Sequence, residues 1–433
     1  MLRDYLRLPL PVRILCLGSL VNRAGSFVVI FLAIYASEKL GFGVPFATAC
    51  IGVLGVGGML GSVIGGHLAD QIGRRSVMLF ALFGGAALLI VLSLVTNRWL
   101  FMLSVGAFAL VADLYRPAAA AMIADLVSVD RRSHAFALMY ISVNLGFAIA
   151  PPVGGLLAGY SFEWLFWIDA ISMAVYGIII VFAIAETRPS SKSLGMHRAE
   201  PEQPLWDSVG RIVRDTPFML FCFAMLMISL VFVQGMSTLP IYVRQSGYSN
   251  FQFGLLMSVN GVLIFLLQLP LTHWLSRFQA MTVVVTGGFL IALGFGLTTF
   301  HSGIGGNGLQ FAFIALCIAV WTLGEILQAP FQQAIVTEMA PDDLRGRYLG
   351  VFGMGHGLAL TIGAPVGGAV LYRFGAPVLW LGALLIAAAA SGLLLLIHWT
   401  VMRRIKPAPG DADDSVGLSC RDVPNPAITA SSA

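Results

Sequence analysis

Charge is the first thing this chain lacks. Only 11% of its 433 residues are Asp, Glu, Lys or Arg, where an ordinary soluble domain carries about 25%. So few charges cannot cover a water-facing surface of this size, which excludes a soluble enzyme and a disordered chain. Cysteine is also scarce. Four of the five (Cys16, Cys50, Cys222 and Cys317, but not Cys420) stand in apolar runs without ligand spacing, which argues against a disulfide framework and a metal site. Ser/His/Asp spacing is missing as well. The glycine-rich stretch 52–66 lacks the Lys-Ser/Thr that a phosphate-binding loop requires. No metal, cofactor or catalysis is expected. The net charge of +4 is too small to point to nucleic acid.

What is present is apolar length. A membrane-spanning helix takes about 20 mostly apolar residues. Such runs lie near 14–36, 46–68, 76–96, 99–123, 134–158 and 164–185, then near 217–239, 251–273, 281–300, 308–332, 348–371 and 376–399. The pattern is six and six. Basic residues fix the orientation by the positive-inside rule. With both termini cytoplasmic, 19 Lys and Arg fall on that side, and only Lys39, Arg98, Arg244 and Arg373 on the other. The domain plan is an N-terminal bundle (1–185), a cytoplasmic linker (186–216), a C-terminal bundle (217–402) and a disordered tail (403–433). Within the linker Leu205, Val209, Ile212 and Val213 share one helical face, predicting an amphipathic helix on the membrane surface.

The halves repeat. Shifted by 213 residues, Leu114, Pro117, Ala121, Asp130, Arg132, Leu145, Pro152, Val153, Gly154 and Gly155 meet identical residues, from Leu327 and Pro330 through Asp343 and Arg345 to Gly367 and Gly368. Near an offset of 206–207, Ile34-Tyr35 and Gly41-Phe42 echo Ile241-Tyr242 and Gly247-Tyr248. Duplicated membrane halves are a transporter architecture, with the substrate site where the repeats meet. Gly57, Gly61 and Gly65 read as a helix-packing stripe.

The second span ends in Gly66-His67-Leu68-Ala69-Asp70-Gln71-Ile72-Gly73-Arg74-Arg75. This resembles the loop signature Gly-x-Leu-x-Asp-Arg-x-Gly-Arg-Arg/Lys of the major facilitator superfamily, with Gln71 in place of the usual basic residue. In the fifth span, Gly146-x3-Ala150-Pro151-Pro152-Val153-Gly154-Gly155 resembles that superfamily's antiporter signature; Ala150 and Ala137 replace two of its glycines. Asn22-Arg23-x-Gly25, Tyr115-Arg116-Pro117-Ala118 and Asp130-Arg131-Arg132 are similar to its twelve-span, proton-coupled multidrug antiporter branch. The resemblance implies an all-α integral membrane fold of two pseudo-symmetric six-helix bundles, and efflux of hydrophobic, often cationic, compounds driven by inward proton flow. It also implies a latch for the outward-open state. Gly66, Asp70, Gly73, Arg74, Arg75 and Asp125 would form it, with Asp70 on the positive N-terminal end of the eleventh helix and Arg74 on Asp125.

Charges within spans are costly and therefore functional candidates. They are Arg23, Asp113, Arg116, Asp169 and Glu325. Asp113 and Arg116, three apart on one helix, are expected to pair. Glu325 has no basic neighbour in sequence, so it is the expected principal proton carrier. Asn22, Arg23, Phe27, Phe31, Gln234 and Gln328 are the expected substrate-cavity residues; the two glutamines either contact substrate or tie helices together. Asp169 reads as a structural cap or pair. His67, His273 and His356 have no second ligand group. The expected protein is a monomer in the cell (inner or plasma) membrane, meeting the lipid bilayer, protons and a small-molecule substrate. Export of one endogenous solute, proton symport and a transport-dead receptor are the rival readings.

Overall fold

The computed structural model describes residues 8–128, 131–187, 205–341 and 344–402. Arg3, Arg7, Asp130, Asp343, the polar start of the linker at 188–204 and the tail 403–433 lie outside the described residues. Twelve helices are long and apolar enough to span a membrane: α1 (Leu10–Lys39), α2 (Val44–Ile72), α3 (Arg74–Leu94), α4 (Arg98–Leu126), α5 (His134–Tyr160), α6 (Glu163–Ala183), α7 (Thr216–Gln245), α8 (Asn250–Leu275), α9 (Ala280–Gly303), α10 (Asn307–Met339), α11 (Arg345–Phe374) and α12 (Ala376–Thr400). Each expected span is recovered. The fold is all-α, two pseudo-symmetric six-helix bundles.

Small residues let the helices approach within each half. A methyl group at Gly57 would press on the Ala109 side chain, and one at Gly65 on the backbone of Leu114. The glycine stripe of α2 is therefore its packing face against α4. In the other half Gly324 of α10 and Gly287 and Gly294 of α9 play the same part.

Three spans are interrupted where the site will be built: α7 at Val233, and α1 and α4. α1 stops at Ala24 and resumes at Val28. The resumed turn has no intrahelical partner for its first amides, and Asp169 of α6 supplies one: its Oδ2 accepts the Val28 N–H at 3.3 Å. α4 breaks at Leu114, between Asp113 and Tyr115. In the linker a helix spans Leu205–Arg214. Its Ile212 is buried while Val213 is 59% exposed, so those two do not share a covered face. Asp215 then caps α7, accepting from the Phe218 N–H, and receives the Tyr348 hydroxyl.

Candidate functional site

Between the bundles lies a cavity of about 680 Å³, lined from both halves by α1, α2 and α4 on one side and α7 and α11 on the other. Asn22, Arg23, Asp113, Arg116 and His356 give it polar groups; Met59, Met236, Met354 and Phe108 give it soft apolar walls. Four charged or polar residues expected at the site are thus brought together. Arg23 lies within electrostatic reach of Arg116, Asp169 and Asp113. The expected Asp113–Arg116 ion pair is not made: among the described residues the ion pairs are Arg74–Asp70, Arg74–Asp125 and Arg244–Glu38. The two groups stay within electrostatic reach of each other without a contact of ion-pair length.

Phe27, Phe31, Gln234 and Gln328 were expected in the cavity and do not line it. Phe27 and Phe31 are buried, fitted against Gly154 of α5, and the Phe31 ring meets Phe253 edge-on at 5.4 Å. They fill the contact of α1 with α5 and α8. Gln234 donates to the carbonyls of Leu230 and Gly363 at 2.9 Å each, tying α7 to α11. Gln328 donates to the Val284 carbonyl at 3.1 Å, tying α10 to α9. In each case a buried amide is satisfied by a neighbouring backbone.

Glu325 is also outside the cavity lining. Its Oε2 accepts from Asn260 Nδ2 at 2.8 Å, and the same amide donates to Thr322 Oγ1 at 3.1 Å. Tyr140 of the opposite half lies within electrostatic reach of Glu325 and donates to Gln268 at 3.3 Å. The carboxylate therefore sits behind the α5–α8 contact between the halves, not beside Asp113.

At the end where α2 meets α3, here the motif end, Gly73 has φ 105°, a conformation that a side chain disfavours. Arg74, 7% exposed, turns back into the fold. Its guanidinium pairs with Asp125 at 3.1 Å and with Asp70 at 3.2 Å. Thr187 also donates to Asp125. Arg75 reaches the Val181 carbonyl, and Gly66 touches Pro117 loosely. Asp70 does not sit on the start of α11; its side chain is 69% exposed and its ionic partner is Arg74. One residue here went unread in the sequence. Glu186 caps α3, accepting the amides of Arg74 at 2.9 Å, Arg75 at 3.2 Å and Ser76 at 3.4 Å. An anion at a helix N-terminus beginning Arg-Arg is the electrostatic signal that points to it.

The halves close on each other away from the motif end. Gly254 of α8 faces the backbone of Pro151 and Pro152, Gly155 faces Asn250, and Gly261 faces Ala148. Gly146 instead packs inside its own half, against Leu20 and Arg23 of α1. On the other flank, α2 and α11 meet at Gly52 against Pro365, at Gly55 against Leu360 and at Met59 against Gly357. The far rim carries the Glu38–Arg244 ion pair at 3.0 Å. Beyond Met59 the two helices part: Leu60, Val63 and Met354 line the cavity and remain 50%, 74% and 50% exposed. The cavity is sealed at the far end and open toward the motif end. Sequence reading also missed the Ser19–Tyr115–Tyr176 hydroxyl triangle at 2.6–3.2 Å, of which Tyr115 lines the cavity, and the cavity place of His356.

A solved peptide transporter in complex with sulfate has the same fold, with a TM-score of 0.75, 18% identity and coverage of 92% of this chain and 95% of that one. A nucleoside transporter, NupG, aligns with a TM-score of 0.74 at 16% identity, covering 90% and 99%. In sequence the chain is 25% identical over 364 residues to the uncharacterized MFS-type transporter YqjV of Bacillus subtilis (strain 168), covering 83% of this chain and 86% of the relative. It is 26% identical over 375 residues to a Na(+), Li(+), K(+)/H(+) antiporter of Planococcus maritimus (80% and 85%). It is 23% identical over 354 residues to the multidrug resistance protein MdtH of Photorhabdus laumondii (81% and 84%). The Major Facilitator Superfamily model matches residues 15–324 and 238–427. With twelve spanning helices in two repeated bundles around a shared cavity, the chain is a multi-pass membrane transporter and belongs to the Major Facilitator Superfamily.

Proposed function

We propose that this transporter exports small hydrophobic or amphipathic compounds from the cytoplasm in exchange for protons, by alternating access. The observation that carries the reading is the cavity between the halves, closed at the far end and open at the motif end. The excess of basic residues at the motif end supports a cytoplasmic position for that end, and with it an inward-open reading of this state. In the opposite state the helices close at the motif end. There Asp70, exposed here, seats on the start of α11, while Arg74 keeps its hold on Asp125. The 1–185 and 217–402 bundles rock as units, joined by the linker.

Glu325 is the proton carrier in this reading. It lies at the α5–α8 seam, with Asn260 as its hydrogen-bond partner, where gain of a proton changes a contact that must open and close in each cycle. Asp113 serves as counter-ion to Arg23 and Arg116 in the cavity. The Pro151–Gly155 segment supports exchange over free flow, because its tight fit against Gly254 and Asn250 leaves no leak at the far end. The names of the Planococcus antiporter and the Photorhabdus multidrug protein support the same direction. Alkali-cation exchange fits less well, since two arginines line this cavity. The protein works as a monomer in the cell membrane. Uptake of a fluorescent amphipathic dye into everted vesicles tests the reading. Accumulation that requires a proton gradient supports it; accumulation unaffected by collapsing the gradient refutes exchange.

A further inference from the structure

We infer that the cavity takes an organic anion: an amphipathic molecule whose carboxylate or sulfonate lies between Arg23 and Arg116, with its apolar body against Met59, Met236 and Phe108. The inference rests on the export reading and names the substrate class of the same cavity. It departs from the cationic preference that the sequence resemblance implies.

The donor count carries it. Three groups that only donate, the guanidiniums of Arg23 and Arg116 and the amide nitrogen of Asn22, belong to cavity-lining residues. Each guanidinium offers five N–H groups. Neither arginine is in any of the ion pairs among the described residues, and Asn22 Nδ2 is buried with no acceptor. Against them stands one carboxylate, Asp113, so the lining carries net positive charge. The other carboxylate within reach of Arg23, Asp169, is not among the residues that line the cavity. It is buried, and its Oδ2 accepts the Val28 amide. His356, across the cavity on α11, adds no negative charge.

A buried donor without an acceptor, as at Asn22 Nδ2, is costly, and arginine forks match planar oxyanions bidentately. An entering anion satisfies all three donors at once. An entering cation would satisfy none of them and would face two like charges at close range. The open polar end near Arg116 and the methionine wall match the two ends of an amphipath. The charge class has a consequence for energetics. One-for-one exchange of a monoanion outward for a proton inward moves two charges per cycle. The same exchange with a monocation moves none.

The test is equilibrium binding to the purified full-length protein without any gradient, using probes with one apolar body and opposite charge: pyrenebutyrate and pyrenebutyltrimethylammonium, with pyrenebutanesulfonate as a third arm. The carboxylate or the sulfonate should bind about tenfold more tightly than the ammonium probe. Arg23→Gln and Arg116→Gln should each weaken anion binding about tenfold, while Asp113→Asn, which removes their counter-ion, should tighten it. Variants are compared only where they elute as a single species. The wild-type preference needs no variant, so it tests the assignment alone. Tighter or equal binding of the ammonium probe, no binding of any probe, or unchanged anion affinity in both arginine variants overturns it. Anion binding with gradient-independent transport would sink the exchange reading and leave the substrate class standing. Gradient-driven transport of the ammonium probe alone would do the reverse.

Discussion

Removing the Glu38 carboxylate should shift this transporter toward the state open at its far end. Glu38 and Arg244 stand 206 residues apart, the offset at which the two halves repeat near these positions. The duplication has thus placed equivalent residues face to face across the pseudo-symmetry axis, and opposite charges have made them a clasp. Three contacts of 3.0–3.2 Å join them, from Nε to both carboxylate oxygens and from Nη2 to one. The side chains are 39% and 25% exposed. Exposed pairs contribute about 0.2–1 kcal/mol, with multidentate, partly buried geometry at the upper end. We therefore take about 1 kcal/mol for this pair. Since 1.4 kcal/mol is tenfold in an equilibrium constant, Glu38→Ala should move the balance about fivefold. Arg244 also donates to the Tyr248 carbonyl, so the glutamate is the cleaner side to change. Spin labels at the exposed positions Thr96 and Gly305, on opposite halves at the far end, report the shift as growth of a longer-distance population. The Glu38→Arg, Arg244→Glu exchange should restore the wild-type distribution. An unchanged distribution in Glu38→Ala, or a failure of the exchange to restore it, refutes the clasp.

Two further outcomes follow from packing. Gly254→Val places branched carbons against the Pro151 carbonyl; overpacking of this kind costs about 1–3 kcal/mol, so the far end should open and the same label pair should lengthen. Retained wild-type distances would show that the seam is looser than the structure has it. Asp169→Ala removes the acceptor of the Val28 amide and should lower stability by about 1–3 kcal/mol, read as an earlier thermal transition of the purified protein. An unshifted transition would mean that the α1 break needs no cap.

The spans were legible because a run of about 20 apolar residues has no other use than crossing lipid. The breaks were not. Nothing in Ala24-Gly25-Ser26-Phe27 separates an interrupted helix from a continuous one until Asp169 is known to face Val28. For the site, charge was the readable signal. Asn22, Arg23, Asp113 and Arg116 all line the cavity, and Arg74 meets Asp125 as the loop motif implied. Direction was the unreadable part. These helices are apolar on all sides, so no periodicity tells which face Gln234, Gln328, Phe27 or Phe31 presents. Glu325 illustrates the point. The residue equivalent to Asp113 under the 213-residue offset is Ile326, and one residue turns a helix by about 100°. That turn carries Glu325 from the cavity to Asn260 of α8.

In the proposed cycle, the coupling of transport to protons runs through Glu325. Its most direct measurement is proton movement in proteoliposomes carrying the wild type or Glu325→Gln, with a pH-sensitive dye inside and an amphipathic substrate added outside. The wild type should release protons when substrate is added and accumulate substrate when a pH gradient is imposed. Glu325→Gln, which keeps the size and a hydrogen-bonding oxygen for Asn260, should lose both responses while substrate still equilibrates down its own gradient. Full substrate-driven proton movement in Glu325→Gln would contradict the account.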